Sequence, residues 1–182
     1  YGRRPLLMHV NAKKIAIGGL LLALTEVCIA LGSVIETNTL FLLAAASYFV
    51  GFLIRETDIR TGAVFYAAGV LLGILISPNK LYVISYAAMG FYILAIELIW
   101  KRIGQLQGER NRAALFWGAK YVIFNLLFLP MVFGFREVFF PGTVTPAMLL
   151  GIVAAGQAGL FVYDRAYEYA QAQIWSRMRK IL

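Results

Sequence analysis

Apolar residues recur in six blocks along the chain, at about 14–33, 38–54, 61–77, 81–100, 113–133 and 146–164. A hydrocarbon core of about 30 Å is crossed by about 20 predominantly apolar residues in helical form, and each block is near that length. The pattern predicts an all-α polytopic membrane protein of about six transmembrane helices. Most of the breaks have a physical cause. Arg55, Glu56, Asp58 and Arg60 make one short polar turn, and Ser77, Pro78, Asn79 and Lys80 make another, with proline and asparagine as turn formers. Lys101 to Arg112 is a polar connection. Gly134 to Thr145 contains Pro141 and Gly142, and Pro146 suits a helix start. Because the apolar excess recurs rather than standing once at the N-terminus, it is not read as a signal peptide.

The alternation acquires a direction from its charges. The N-terminus, second loop, fourth loop and C-terminus carry fourteen Lys and Arg; the opposite side holds only Lys80 and Arg136, and Lys120 falls inside a span. Basic residues favour the cytoplasmic side, so both ends are expected there. A missed or extra helix would scramble this asymmetry. Trp100, Trp117 and Trp175 all map to that inner side, as interfacial aromatics do. The stretch from Asp164 to Leu182 is mixed in polarity. It suits either an amphipathic helix on the inner membrane surface or an extension of the sixth span into the cytoplasm.

Composition narrows the function classes. Of the 182 residues 61% are hydrophobic and 14% charged, with a mean hydropathy of +0.76. A soluble domain carries roughly 25% charge. Six spans leave only short loops, so residues 1–182 are expected to form a single transmembrane domain with a tail over 165–182. The net charge of +8 gathers at the ends of apolar runs, which favours contact with lipid over nucleic acid. Cys28 and His9 are single, so no intrachain disulfide and no histidine- or cysteine-based metal or haem site is expected, and no cofactor. Neither G-x-S-x-G, H-E-x-x-H nor a Walker A sequence occurs, so the chain is read as a non-enzyme that cannot itself hydrolyse ATP.

A charge at the bilayer centre costs roughly 2.5–3.5 kcal/mol or more, so each deep polar residue needs a reason. Glu26 lies about 10 Å and Asn125 about 12 Å inside the outer boundary, at about 1.5 Å per residue. They are placed at one level, as the floor of an outward-facing pocket or as hydrogen-bonded packing groups. Glu97 and Lys120 sit in the inner half of consecutive antiparallel spans and are expected to form a structural ion pair. Gln157, near mid-membrane, is expected to satisfy its amide against a neighbouring helix. Small residues four apart mark three spans: Ala12, Ala16, Gly19 and Ala23 in the first; Ala63, Ala67, Gly69 and Gly73 in the third; Gly151, Ala155 and Gly159 in the sixth. Such stripes let helices approach closely in lipid, either within the bundle or against a separate subunit.

The outer loops combine both charge signs, hydrogen-bonding groups and aromatic rings. Glu36 and Asn38 stand in the first. Asn79, Lys80 and Tyr82 mark the second, with Tyr86 one turn deeper. Arg136 and Glu137 belong to the third, among Phe135, Phe139 and Phe140. With Glu26 and Asn125 these are the candidate ligand-binding residues, since binding sites join apolar walls to a few convergent polar groups. An ordinary aromatic membrane belt is the other reading.

The opening Asn11-Ala12-Lys13-Lys14-Ile15-Ala16, leading into Gly18-Gly19-Leu20-Leu21-Leu22-Ala23-Leu24, resembles the substrate-binding S-components of energy-coupling factor (ECF) transporters. The six-span plan, both ends inside and the overall length share in the likeness, over most of residues 11–165. The chain also resembles a group of uncharacterised small bacterial six-helix membrane proteins with a similar Thr37-Asn38-Thr39-Leu40, Pro78-Asn79-Lys80 and Tyr163-Asp164 pattern. The resemblance implies a multi-pass protein of a bacterial cytoplasmic membrane. It would capture a vitamin or similar small organic ligand near the outer face and work with a transmembrane T-component and cytoplasmic ATPases. An Ala-x-x-x-Ala element of that family meets the T-component, and its counterpart here is Ala12 and Ala16. Two other functions are carried alongside: a non-transporting scaffold or accessory subunit, and a lipid-modifying membrane enzyme using Glu26 or Asp164 as acid or base.

Overall fold

The computed structural model describes residues 5–104, 109–134 and 145–178. Six long helices follow one another: α1 (Pro5–Val34), α2 (Thr39–Glu56), α3 (Ile59–Ile76), α4 (Lys80–Ile103), α5 (Glu109–Gly134) and α6 (Pro146–Tyr169). A short 3₁₀ turn, Glu36–Asn38, links the first two. A π-helical stretch, Ala170–Trp175, and a last turn, Ser176–Met178, continue α6. No strand occurs among the described residues. All six helices contain a segment long and apolar enough to cross a membrane, over Ala12–Val34, Thr39–Glu56, Ile59–Ile76, Lys80–Ile103, Arg112–Gly134 and Pro146–Gln173. The chain is therefore a multi-pass membrane protein by length and composition, with spans within a few residues of those expected, except the sixth. That helix runs about nine residues further, at about 14 Å of extra length.

Local chemistry sets the helix ends. The α2–α3 turn shrinks to Thr57 and Asp58, with Arg55, Glu56 and Arg60 drawn into the helices. Asp58 is the N-cap of α3 and accepts the Thr61 backbone N–H at 2.9 Å. That bond above all holds the Asp58 carboxyl below its ordinary pKa. Thr145 caps α6 by accepting from the Met148 N–H, and Pro146 follows at the first helical position, where its missing N–H costs nothing.

The chain divides into two compact units, Tyr1–Leu98 and Ile99–Leu182, with the division inside α4. In the first unit Ile29, Leu43, Ala46, Val83 and Tyr86 form a buried cluster, with Cys28, Val70, Tyr82 and Met89 packed on it. Two glycines of α3 make this packing possible. A Cβ at Gly69 would stand 2.6 Å from the Tyr86 hydroxyl, and one at Gly62 would collide with Ile54 of α2. Of the stripe expected on α3, Gly69 and Gly73 face the unit's interior, whereas Ala67 is exposed.

In the second unit α5 and α6 run antiparallel along a seam of matched pairs. Lys120 meets Asp164, Asn125 meets Gln157, and Phe128 fills the space over Gly156. The glycine that admits a neighbour is thus Gly156. The expected stripe, Gly151, Ala155 and Gly159, lies on the exposed side of α6, with open space beside both glycines.

Candidate functional site

The turns joining α1 to α2 and α3 to α4 are tied by short polar side chains. Ser33 and Ser77 share a hydroxyl–hydroxyl hydrogen bond of 3.0 Å. The Ser77 hydroxyl is also within 3.1 Å of the Asn79 carbonyl, and Thr39 donates to the Gly32 carbonyl at 2.9 Å. Several residues expected to hold ligand serve this end structurally. Lys80 donates to the carbonyls of Ile74 and Ser77, so its ammonium caps the C-terminus of α3, where a cation complements the helix dipole. Asn79 accepts the Leu81 N–H at 3.0 Å and so opens α4. Asn38 is exposed at the N-cap of α2 without a side-chain capping bond. Tyr82 packs against the apolar cluster. The Glu36 side chain, and Arg136 and Glu137 altogether, lie outside the described residues.

Beneath these turns the polar groups behave differently. Both carboxyl oxygens of Glu26 are buried and have no hydrogen-bond partner; the same holds for the hydroxyl of Tyr86. Tyr86 is fully buried, at 0% exposure. The two residues come from α1 and α4, where Ile29, one turn on from Glu26, packs in one buried cluster with Val83 and Tyr86. Tyr66 of α3 adds a second ring, 6.4 Å from that of Tyr86 between centroids, with its own hydroxyl donating to the Ala87 carbonyl at 2.9 Å. Glu26 is eight residues from the end of α1, and Tyr86 six from the start of α4. Both therefore stand about 9–12 Å along their helices from the tied turns. A buried polar group without a partner costs about 1–3 kcal/mol, more if charged. Among the described residues the Glu26 carboxyl oxygens and the Tyr86 hydroxyl are thus left without a partner, beside the buried Ile29 and Val83, while the Tyr66 hydroxyl is bonded.

Asn125 was expected to share a level with Glu26 as part of the pocket. It belongs to the second unit and is already committed: its amide and that of Gln157 exchange hydrogen bonds of 2.8 and 3.3 Å, as mid-membrane amides must when no water is at hand. Glu97 and Lys120, expected to pair, belong to different units, and each has partners within its own. Glu97 is held by Arg55 of α2, at 2.6 Å and 2.9 Å. Lys120 donates to Asp164 at 2.7 Å and Glu168 at 2.9 Å, with its ammonium 4.3 Å from the Phe116 ring centroid and 4.8 Å from that of Trp117. Depth alone could not choose between flanking helices. A signal was nonetheless present in the sequence, because Asp164 along α6 and Lys120 back along α5 stand within about one helical turn of the same level.

The stripe Ala12, Ala16, Gly19 and Ala23 is exposed throughout, in company with Ile15, Leu20, Val27 and Leu31. No group of three His, Cys, Asp or Glu side chains that could hold a metal occurs among the described residues. A shallow concavity of about 430 Å³ on α5 is lined by Ala114, Leu115, Gly118 and Ala119, none with a polar side chain to orient a ligand. Comparison with protein-family models, with curated proteins and with solved structures finds no match to this chain.

Proposed function

We propose that this protein is the substrate-capture subunit of an ECF-type importer in a bacterial cytoplasmic membrane, with both ends inside. It takes up a small organic micronutrient from the outer face, in the N-terminal helices. One observation carries the reading: Glu26 and Tyr86 present unpaired polar atoms in an apolar interior. A group that only served packing would gain from a partner; a group awaiting a ligand is unpaired until the ligand comes. The exposed small-residue face of α1 supports a transmembrane partner such as a T-component, since small residues permit close helix approach. The absence of a Walker A sequence supports reliance on separate ATPase subunits. The test is purification from a native-like host, with mass spectrometry of small molecules retained by the protein and of co-purifying subunits. A retained non-lipid molecule and an ATPase partner are expected. A protein empty of ligand and free of any ATPase partner would overturn the proposal.

A scaffold or accessory role is favoured instead by the open face at Gly151, Ala155 and Gly159. If that face docks a partner, leucine at all three positions abolishes partner binding; partner binding that survives the triple change removes the face from consideration.

A further inference from the structure

Resting on that capture reading, we infer that the Glu26–Tyr86 patch takes an organic cation, an amine or quaternary ammonium attached to an apolar body. The argument begins with charge. Glu26 brings a carboxyl into the interior of the first unit, and neither oxygen meets a donor. The described basic side chains of that unit are placed elsewhere. Arg55 is bound by Glu97, and Lys80 caps α3. Arg60 stands in the first turn of α3. Lys13 and Lys14 lie twelve and thirteen residues back along α1, about 18–20 Å away. The described residues of this unit therefore place no countercharge beside Glu26, and a carboxylate in an apolar site calls for one.

The neighbours select among cations. A hard metal ion wants about six oxygen ligands. Here the unpaired oxygens are the two of Glu26 and the one of Tyr86. An ammonium needs less: one carboxylate for its charge, and aromatic faces for its polarised N–H or methyl groups. Tyr66 and Tyr86 supply those rings side by side. Ile29, Val83 and Met89, packed with Tyr86, make the neighbourhood apolar, which disfavours a hydrated ion. A sugar or a phosphate ester finds neither the array of donors nor the positive charge it requires.

The test uses the full chain in lipid nanodiscs and four probes that share one benzene ring: benzyltrimethylammonium, benzylamine, benzyl alcohol and benzoate. Binding is read by calorimetry and by the shift in melting temperature. The two cations are expected to bind and to raise the melting temperature at concentrations where the alcohol and the acid do not. The fixed charge of the quaternary probe ensures that the response is not proton exchange with the amine. Glu26→Gln keeps the shape of the side chain and is expected to weaken cation binding about tenfold or more. Tyr86→Phe keeps the ring and removes only the hydroxyl, so a smaller loss is expected, with helicity unchanged in both variants. Cation binding that survives Glu26→Gln at full affinity would overturn the inference. Glu26-dependent binding of the alcohol or the acid would overturn the cation class and leave the capture reading standing. No Glu26-dependent binding of any probe, together with a purified protein that retains no small molecule, would overturn both.

Discussion

The α5–α6 seam and the Glu26–Tyr86 patch handle buried polarity in opposite ways. Along the α5–α6 seam the deep polar side chains come in complementary sets: Lys120 between Asp164 and Glu168, Asn125 exchanging bonds with Gln157. In the first unit the carboxyl oxygens of Glu26 and the hydroxyl of Tyr86 are buried, yet none of the described residues answers them. The first arrangement is that of a fastening. In lipid a matched pair ties two helices without the hydrophobic drive that water would supply. The second is that of a vacancy in bonding, retained at a cost in stability. The contrast teaches that depth and polarity alone do not mark a functional residue. What separates Glu26 from Lys120 is whether the fold has already provided a partner.

Single substitutions can break that contrast. The largest effect is expected for Lys120→Met, which strands Asp164 in an apolar seam. A loss of about 3–5 kcal/mol is expected in unfolding from mixed micelles, with most of it recovered in the double variant Lys120→Met/Asp164→Leu. The same kind of change at Glu26 is expected to have the opposite sign: Glu26→Leu, by deleting an unpaired carboxyl, stabilises the ligand-free protein by about 1–3 kcal/mol. A destabilisation of that size would show that Glu26 has a structural partner and would erase the difference between the seam and the patch. Gly69→Ala presses a methyl group against the Tyr86 hydroxyl and is expected to cost about 1–2 kcal/mol. Tyr86→Phe in the same chain should relieve part of it. The smallest effect is at the α2–α3 turn. Asp58 has a lowered pKa in the folded protein, so its contribution is present above its unfolded value of about 3.9 and is lost as pH falls through the folded value. Asp58→Asn should remove that acid slope from the melting curve while leaving the neutral-pH fold intact.

The helices were legible because bilayer thickness fixes their length, and Pro78, Asn79 and Pro146 mark their ends with side chains that suit no other place. Glu26 was also legible, as a polar residue at a depth that needs a reason, and Tyr86 as a polar aromatic one turn below the second outer loop. Pairing was harder. A span at given depth has neighbours on more than one side, and Glu97 chose Arg55, a residue read as part of a loop because the helix end was set two residues too early. Lys80 and Asn79 were read as ligand contacts on the strength of their side of the membrane. Helix ends, however, leave backbone groups without partners, and a lysine or asparagine beside a turn is first in line to satisfy them. The small-residue stripes divided for a similar reason: spacing shows that a face is smooth, but only the facing side chain, Tyr86 for Gly69 or Phe128 for Gly156, shows that the smoothness is used.

The turn of Thr57 and Asp58 has a consequence for how the protein is made. Two residues span at most about 7 Å, far less than a bilayer. While ribosome and translocon deliver α2, its partner α3 is tethered directly behind it, and neither can settle across the membrane far from the other. A two-residue link favours entry of the pair into lipid as one hairpin, and in the folded protein Gly62 stands against Ile54 beside the bend. A lengthened linker at this point would turn one insertion event into two, and would leave Arg55 to find Glu97 from a helix no longer held in register.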